Sequence, residues 1–254
     1  MGFFNFFKKK IPVLNIHPYT TAIIAAAGGS SRMGETCENK QFMLINGRPV
    51  ISYTLAAFEE ADTIDEIIIA VREDDILHMA DLAKDFGFDK VTKIIKGGET
   101  RQESIFNVIA ELNPKTEFIA VHDGARPFVT AEIIDNVSGA AFKHNAAAAC
   151  VPVKDTIKLI DRDGFIVNTV ERASLKAVQT PQTFLLDLYK AGAALAQKRG
   201  THYTDDCQLI EQAGAKVFLV EGSFNNIKIT TPEDIAAAEF ILSSLEDNMN
   251  SVDS

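Results

Sequence analysis

The amino-acid sequence predicts an α/β domain: a mostly parallel sheet with helices on both faces. Three observations predict it. Short apolar runs alternate with amphipathic stretches from Thr21 onward. Runs such as TAIIAAA and AAAACVPV are unbroken, as strands buried on both faces are. The stretches between runs are long enough for helical crossovers, which let successive strands lie parallel. At 254 residues, 46% of them apolar, the chain fits one large domain with short extensions.

Taken in order, TAIIAAA is the first strand and ends in a glycine turn. In LINGRPVISYTLAAFEEA, Asn46-Gly47 marks a turn and Pro49 the start of a helix. IDEIIIAVRE is the second strand, followed by a helix to about Phe86. KVTKIIKGG is the third strand and TRQESIFNVIAEL its helix. FIAVHDGARP is the fourth, followed by a helix from about Thr130 to His144. AAAACVPV is a further buried strand. KVFLVEG and a helix from Pro232, capped by Thr231, close the pattern. One stretch breaks the alternation: DTIKLIDRDGFIVNTVERASLKAV holds two strand-like runs around Asp161-Arg162-Asp163-Gly164, a hairpin turn signal. It predicts an arm, about residues 154–177, leaving the sheet and buried against a partner subunit. The divisions expected are a disordered extension at 1–20, one domain at 21–245 and a tail at 246–254.

Composition excludes several classes of function. A net charge of -10 argues against a basic face for nucleic acid, though not against a small basic pocket for a phosphorylated ligand. Cys37, Cys150 and Cys207 lie far apart without a CxxC pair, which argues against a disulfide framework or a zinc site and for a reducing cytoplasm. No apolar run reaches the roughly 18 residues of a membrane span. Phe3, Phe4, Phe6 and Phe7 ahead of Lys8, Lys9 and Lys10 suit weak contact with a membrane surface, although a disordered extension accounts for them more simply.

The residues that carry chemistry gather where strands end, which is where open parallel sheets bind ligands. After the first strand, Gly28 and Gly29 let a backbone approach phosphate closely. The pattern is neither GxGxxG nor GxxxxGK[ST]. Arg32 and Lys40 follow, and two cations on one loop call for an anion. After the third strand, Gly97 and Gly98 precede a helix with Ser104 in its first turns, where a cap and turn is the bland alternative. After the fourth, Asp123 stands where an acid can place a metal beside nucleotide phosphates, with Arg126 close behind. His122 alternates to the other face and reads as structural. Lys228 lies on a late strand. Several cations, one metal-type acid and no Ser-His-Asp or Cys-His constellation suit phosphoryl-type transfer. A phosphate nucleophile, with a second pKa of about 6, needs charge cover rather than a base.

The blocks AAAGGSSRMG, NKQF, GGETRQES, VHDGARPFV, VPVKDTIK, NTVERASLKAVQTPQTF, YTDDCQLIEQAG and NIKITTPEDI occur in this order. Together they resemble the 2-C-methyl-D-erythritol 4-phosphate cytidylyltransferase family from about Thr21 to Leu245. The resemblance implies a Rossmann-like fold and a homodimer whose hairpin arm reaches the neighbouring site. It also implies an Mg²⁺-assisted transfer of CMP from CTP to a sugar-alcohol phosphate, for isoprenoid precursors. Arg32 and Lys40 would then stabilise charge on the α-phosphate. Ala26, Ala27 and Gly28 would line the nucleotide, while Gly98, Glu99 and Ser104 would read cytosine and ribose. Asp123 would lie near metal and phosphates, and Lys228 would position the acceptor phosphate. Thr169 and Arg126 match residues that contact substrate across the interface.

The chain departs from the family's pattern where an arginine that grips the acceptor phosphate is expected after the TPQxF phenylalanine. Leu185-Leu186 stand there, and Arg172 or Lys176 is a candidate substitute. Ser30 replaces a frequent glycine. Two other readings compete: a sister cytidylyltransferase acting on ribitol 5-phosphate, and a catalytically silent nucleotide-binding protein. DGARP, VKDTIK and TVERASLKAVQTPQ favour the methylerythritol type over the first. Arg32, Lys40, Asp123 and Lys228 together weigh against the second.

Overall fold

In the computed structural model of the chain, the described residues are 17–28, 39–201, 203 and 205–252, with side chains described as far as Leu245. The Phe/Lys segment, Ser30 and Arg32 fall outside them. The elements in chain order are β1 (Thr20–Ala25), β2 (Leu44–Ile45), β3 (Arg48–Pro49), α1 (Val50–Glu60), β4 (Glu66–Val71), α2 (Ile76–Asp85), β5 (Val91–Lys96), α3 (Arg101–Ile109) and β6 (Phe118–Asp123). Then follow α4 (Ala131–His144), β7 (Ala146–Pro152), β8 (Lys158–Ile160), β9 (Ile166–Thr169), β10 (Lys176–Leu185), α5 (Leu186–Arg199), α6 (Asp206–Gln212), β11 (Phe218–Glu221) and α7 (Glu233–Val252).

The seven-stranded sheet has the order β11-β7-β10-β6-β1-β4-β5. Its unbroken apolar strands bury both faces, and alternate residues divide between two cores. Ala22, Ile24, Ile67, Ile69 and Ala120 pack under α1, α2 and α4. Ile23, Ile68, Ile119 and Val121 pack under α3, α5 and α6. The isoleucines among these have no exposed surface, and each contributes about 1.5–3 kcal/mol by burial. Asn46 and Gly47 both have positive φ, 47° and 74°, as a two-residue hairpin turn between β2 and β3 requires.

The sheet is mixed. β10 runs antiparallel to both of its neighbours, β6 and β7, while the other pairings are parallel. Sequence patterning does not reveal β10, because Pro181 falls inside it and proline argues against a central strand. The chain accommodates it with a register irregularity between Val178 and Gln182. α5 and α6 also escape the sequence reading. They pack so closely that a Cβ on Gly192 would lie 2.5 Å from the Leu209 carbonyl oxygen.

The predicted hairpin forms as β8 and β9, a two-stranded sheet separate from the main one. Gly164 turns it with φ +91°, and Asp161 Oδ1 accepts from the Asp163 and Phe165 amides. Leu159, Ile160, Phe165, Ile166 and Val167 on it are all more than half exposed. α7 begins at Glu233, where Asp234 accepts from the amides of Thr230 and Thr231, and runs on to Val252, past the expected boundary at Leu245. Among the described residues no helix is long and apolar enough to cross a membrane.

Candidate active site

Strand order fixes where a ligand can sit. After β1 the chain builds β4 and β5 on one side of it, then returns to place β6 on the other. The crevice beyond the carboxyl ends of β1 and β6 is therefore the switch point at which such sheets bind ligands. Ala25 and Asp123 are register partners at that edge. A cleft of about 160 Å³ opens there, lined by Ala27, Gly28, Lys40, Gly98, Glu99, Ser104, Asp123 and Lys228 among others. A second hollow of about 550 Å³ continues over Ala27, Gly98 and Glu99 toward Arg72 and Lys96.

The floor is made by close backbone approach. A Cβ on Gly97 would meet that of Ala27 at 2.4 Å, and one on Gly98 would meet that of Glu103 at 2.3 Å. The α3 end is held by a capping box between Thr100 and Glu103, which also receives the Glu99 amide at 2.8 Å. Ser104 Oγ accepts from the Gly98 amide at 3.0 Å and donates to the Thr100 carbonyl at 2.9 Å. The capping role thus belongs to Thr100 and Glu103, and Ser104 braces the glycine turn. Ala26 is fully buried and donates its amide to Ala70.

Asp123 is the hub. Its side chain is 10% exposed and meets three cations: Lys228 Nζ at 2.8 Å, Arg101 Nε at 3.1 Å and Arg126 Nε at 3.5 Å. Burial alone would raise its carboxyl, but Arg101, Lys228 and Arg126 outweigh that and hold it well below the usual carboxylate range. It is ionised at any working pH. Its amide donates to Thr180 Oγ1 at 3.1 Å. Arg126 Nη1 donates to the Asn226 carbonyl at 2.8 Å, and the Ile229 amide donates to Ala125, which lays Lys228 along the same edge. His122 points the other way, as alternation requires, and packs 5.0 Å from Phe58.

Burial and the neighbouring arginines push His122 down to about 3 despite the Asp123 carboxylate. It therefore stays neutral in the fold, whereas in the unfolded chain it takes up a proton below about pH 6.5. Stability should fall with pH in that range, by up to about 1.4 kcal/mol per unit from this residue. Denaturant unfolding at pH 6 and pH 5 should show a shallower dependence in His122→Asn. Equal slopes would contradict the assignment.

The structure brings Lys40, Asp123, Arg126, Lys228, Gly28 and Gly98 together. Thr169 and Arg172 stand apart on the exposed arm. Thr169 Oγ1 accepts from Lys158 at 2.7 Å, and Arg172 donates to the Lys154 carbonyl at 2.9 Å. The expectation for Leu186 is corrected. Leu185 pairs with Phe118, at the opposite end of β6 from Asp123, about 17 Å away at strand rise. Leu186 is 8% exposed and belongs to the core with Ile119 and Tyr189. Both leucines thus lie at the far end of β6 from Asp123.

Sequence reasoning missed Arg101 and Asp206. Arg101 joins Asp123 and Asp206 at close range. Both residues stand inside blocks that were singled out, GGETRQES and YTDDCQLIEQAG. Only folding brings those blocks together.

A switch-point cleft lined by Gly28 and Gly98 and edged with cations around one buried carboxylate suits a nucleotidyltransferase. Residues 20–244 match the model of the family described as IspD, 2-C-methyl-D-erythritol 4-phosphate cytidylyltransferase. Curated relatives of that name include one from Caldanaerobacter subterraneus, 45% identical over 87% of this chain and 98% of its own length. Another, from Clostridium acetobutylicum, is 44% identical over 87% and 96% respectively. Among solved structures, the 4-diphosphocytidyl-2C-methyl-D-erythritol synthase of Anaerococcus prevotii is 34% identical, with a TM-score of 0.80 over 89% of this chain and 96% of its own. The Thermus thermophilus cytidylyltransferase is 30% identical, with a TM-score of 0.70 over 88% of this chain and 98% of its own. The chain belongs to the 2-C-methyl-D-erythritol 4-phosphate cytidylyltransferase family.

Proposed function

We propose that the protein transfers CMP from CTP to 2-C-methyl-D-erythritol 4-phosphate, giving 4-diphosphocytidyl-2-C-methyl-D-erythritol and pyrophosphate. The observation that carries this is the gathering of Lys40, Lys228, Gly28 and Gly98 in one cleft around Asp123, with Arg126 against the same carboxylate. An acceptor phosphate oxygen attacks the α-phosphorus of CTP. The bond from that phosphorus to the bridging oxygen breaks, and pyrophosphate leaves with the electron pair. The acceptor phosphate is largely dianionic near neutrality, so no protein base is needed. The residues hold two repelling anions in line and cover their charge. Lys40, with Arg32 from the loop outside the described residues, covers the α-phosphate. Lys228 and Arg126 hold the acceptor phosphate.

Among the described residues no group of three or more His, Cys, Asp or Glu side chains could cage a metal. Asp123 and Glu99, which both line the cleft, fit instead an Mg²⁺ that arrives with the triphosphate, since Mg²⁺ is commonly held by one or two carboxylates plus substrate phosphates. Asp123 would hold it, and the ion would neutralise charge on the phosphates.

Pyrophosphate release with CTP and each acceptor tests the reading. Faster turnover of methylerythritol phosphate than of ribitol 5-phosphate is expected. The reverse order would refute the acceptor, and no turnover with either would refute catalysis.

Lys228→Ala should lower kcat/KM for the acceptor by about ten- to a hundredfold, as loss of one charged hydrogen bond of about 1.5–3 kcal/mol does, with CTP binding nearly intact. Equal weakening of CTP and acceptor would assign Lys228 to the nucleotide instead.

A homodimer is the second part of the proposal. The exposed Leu159, Ile160, Phe165, Ile166 and Val167 of the arm make the kind of apolar patch that marks a protein interface. A partner's arm would bring Thr169 and Arg172 to the neighbouring cleft. Deleting residues 156–170 should give monomers of low activity in light scattering and turnover assays. A fully active monomeric wild type would contradict it. A cytoplasmic location is part of the same reading, supported by three cysteines without a CxxC pair.

A further inference from the structure

Asp123 is tied through the cleft wall to the helices beneath it. Arg101, which also lines the cleft, uses two different edges of its guanidinium: Nε meets Asp123 Oδ1 at 3.1 Å, while Nη1 forms a short contact with Asp206 Oδ2. Asp206 is 3% exposed and its other oxygen accepts from the Tyr189 hydroxyl at 2.7 Å. A relay therefore runs from α5 through α6 and α3 to the end of β6. α6 lies close enough for this because Gly192 puts no side chain between α5 and Leu209. The neighbouring Asp205 is tied to β10 by Gln182 Nε2 at 2.6 Å.

A buried ion pair adds little net stability, because desolvation offsets the attraction. Fastening α6 to the sheet would be served as well by apolar side chains. What the relay supplies is orientation. A planar guanidinium held at two edges fixes the carboxylate that faces it, which a lysine cannot do. With one Asp123 oxygen committed to Arg101, the other faces Lys228 Nζ at 2.8 Å.

We propose that Asp206 is a positioning residue for the transfer: through Arg101 it orients the Asp123 carboxylate and, by way of it, Lys228. This rests on the reading of Asp123 and Lys228 given above. Without Asp206, the guanidinium turns wholly onto Asp123 and draws it from Lys228.

The test is steady-state kinetics with CTP and methylerythritol phosphate on the full chain, beside thermal unfolding. The variants are Asp206→Asn, Arg101→Met, Arg101→Lys, Tyr189→Phe, Asp123→Asn and the double variant Asp206→Asn/Arg101→Met. Asp206→Asn should lower kcat by about ten- to a hundredfold, the scale of a misplaced reacting group, with the KM for CTP within threefold of wild type. Because the effect passes through Arg101, the double variant should be no worse than Arg101→Met alone. Arg101→Lys should not restore kcat, although it would restore a plain ion pair. A kcat for Asp206→Asn within threefold of wild type, or losses that multiply in the double variant, would overturn the proposal. Should Asp206→Asn fail to fold, Tyr189→Phe decides. A kcat at least threefold lower with unchanged KM for CTP supports the relay, and a wild-type kcat overturns it. Full activity in Asp123→Asn would instead bring down the underlying reading of the site.

Discussion

Replacing Lys40 by alanine should lower kcat by about 10²–10³, the effect of removing one donor to transition-state charge, and Arg32→Ala should do the same. Lys40 lines the cleft beside Gly28 and Lys228, and Arg32 belongs to the same glycine-rich loop in sequence. Charge grows on the α-phosphate oxygens as the acceptor attacks, so a fixed cation there acts mainly in the transition state. For Lys40→Ala stability should change little, because Lys40 is not part of the apolar cores. Steady-state pyrophosphate release measures kcat, and denaturant unfolding measures stability. Activity within threefold of wild type for both variants would remove the charge-stabilising roles.

Asp123→Asn should be costly in a different way. The carboxylate compensates Lys228, Arg126 and Arg101. Removing one partner of a buried charge cluster costs about 3–5 kcal/mol, so both stability and turnover should drop. The sign of the pH dependence follows from the lowered carboxyl. An Asp ionised more readily in the fold than in the unfolded chain stabilises fully above the ordinary value of about 3.9, and the benefit fades as pH falls below it. The stability gap between wild type and Asp123→Asn should therefore be full at pH 6 and shrink toward pH 3. A gap that is absent at pH 6, or that widens in acid, would contradict the hub role.

Much of the fold is legible in the sequence, and the residues explain why. Strands such as β1 and β4 announce themselves because their isoleucines are buried on both faces. Asp123 and Lys228 could be placed because strand ends predict where an open sheet binds. β10 could not, since Pro181 forbids the usual reading and the strand tolerates it only through a local irregularity. With β10 unplaced, the sequence does not show that Leu185 pairs with Phe118, at the far end of β6 from Asp123. Arg101 and Asp206 were hidden for another reason. Separated by more than a hundred positions, they meet only after α3 and α6 pack on the same face of the sheet, and no local pattern encodes such a meeting. Ser104 lines the cleft, but its part as a brace for Gly98 follows from hydrogen bonds that no motif specifies.

The central claim is that the acceptor's phosphate attacks the α-phosphorus of CTP, with cations rather than a base around it. Following oxygen in the product tests this most directly. Methylerythritol phosphate carrying ¹⁸O in its phosphate would be turned over with unlabelled CTP, and both products examined by ³¹P NMR and mass spectrometry. Attack at the α-phosphorus predicts that all the label stays in the cytidine diphospho product, one labelled oxygen bridging the two phosphorus atoms, and that the pyrophosphate is unlabelled. Label in pyrophosphate, or release of CMP with transfer of the terminal phosphates, would contradict the account.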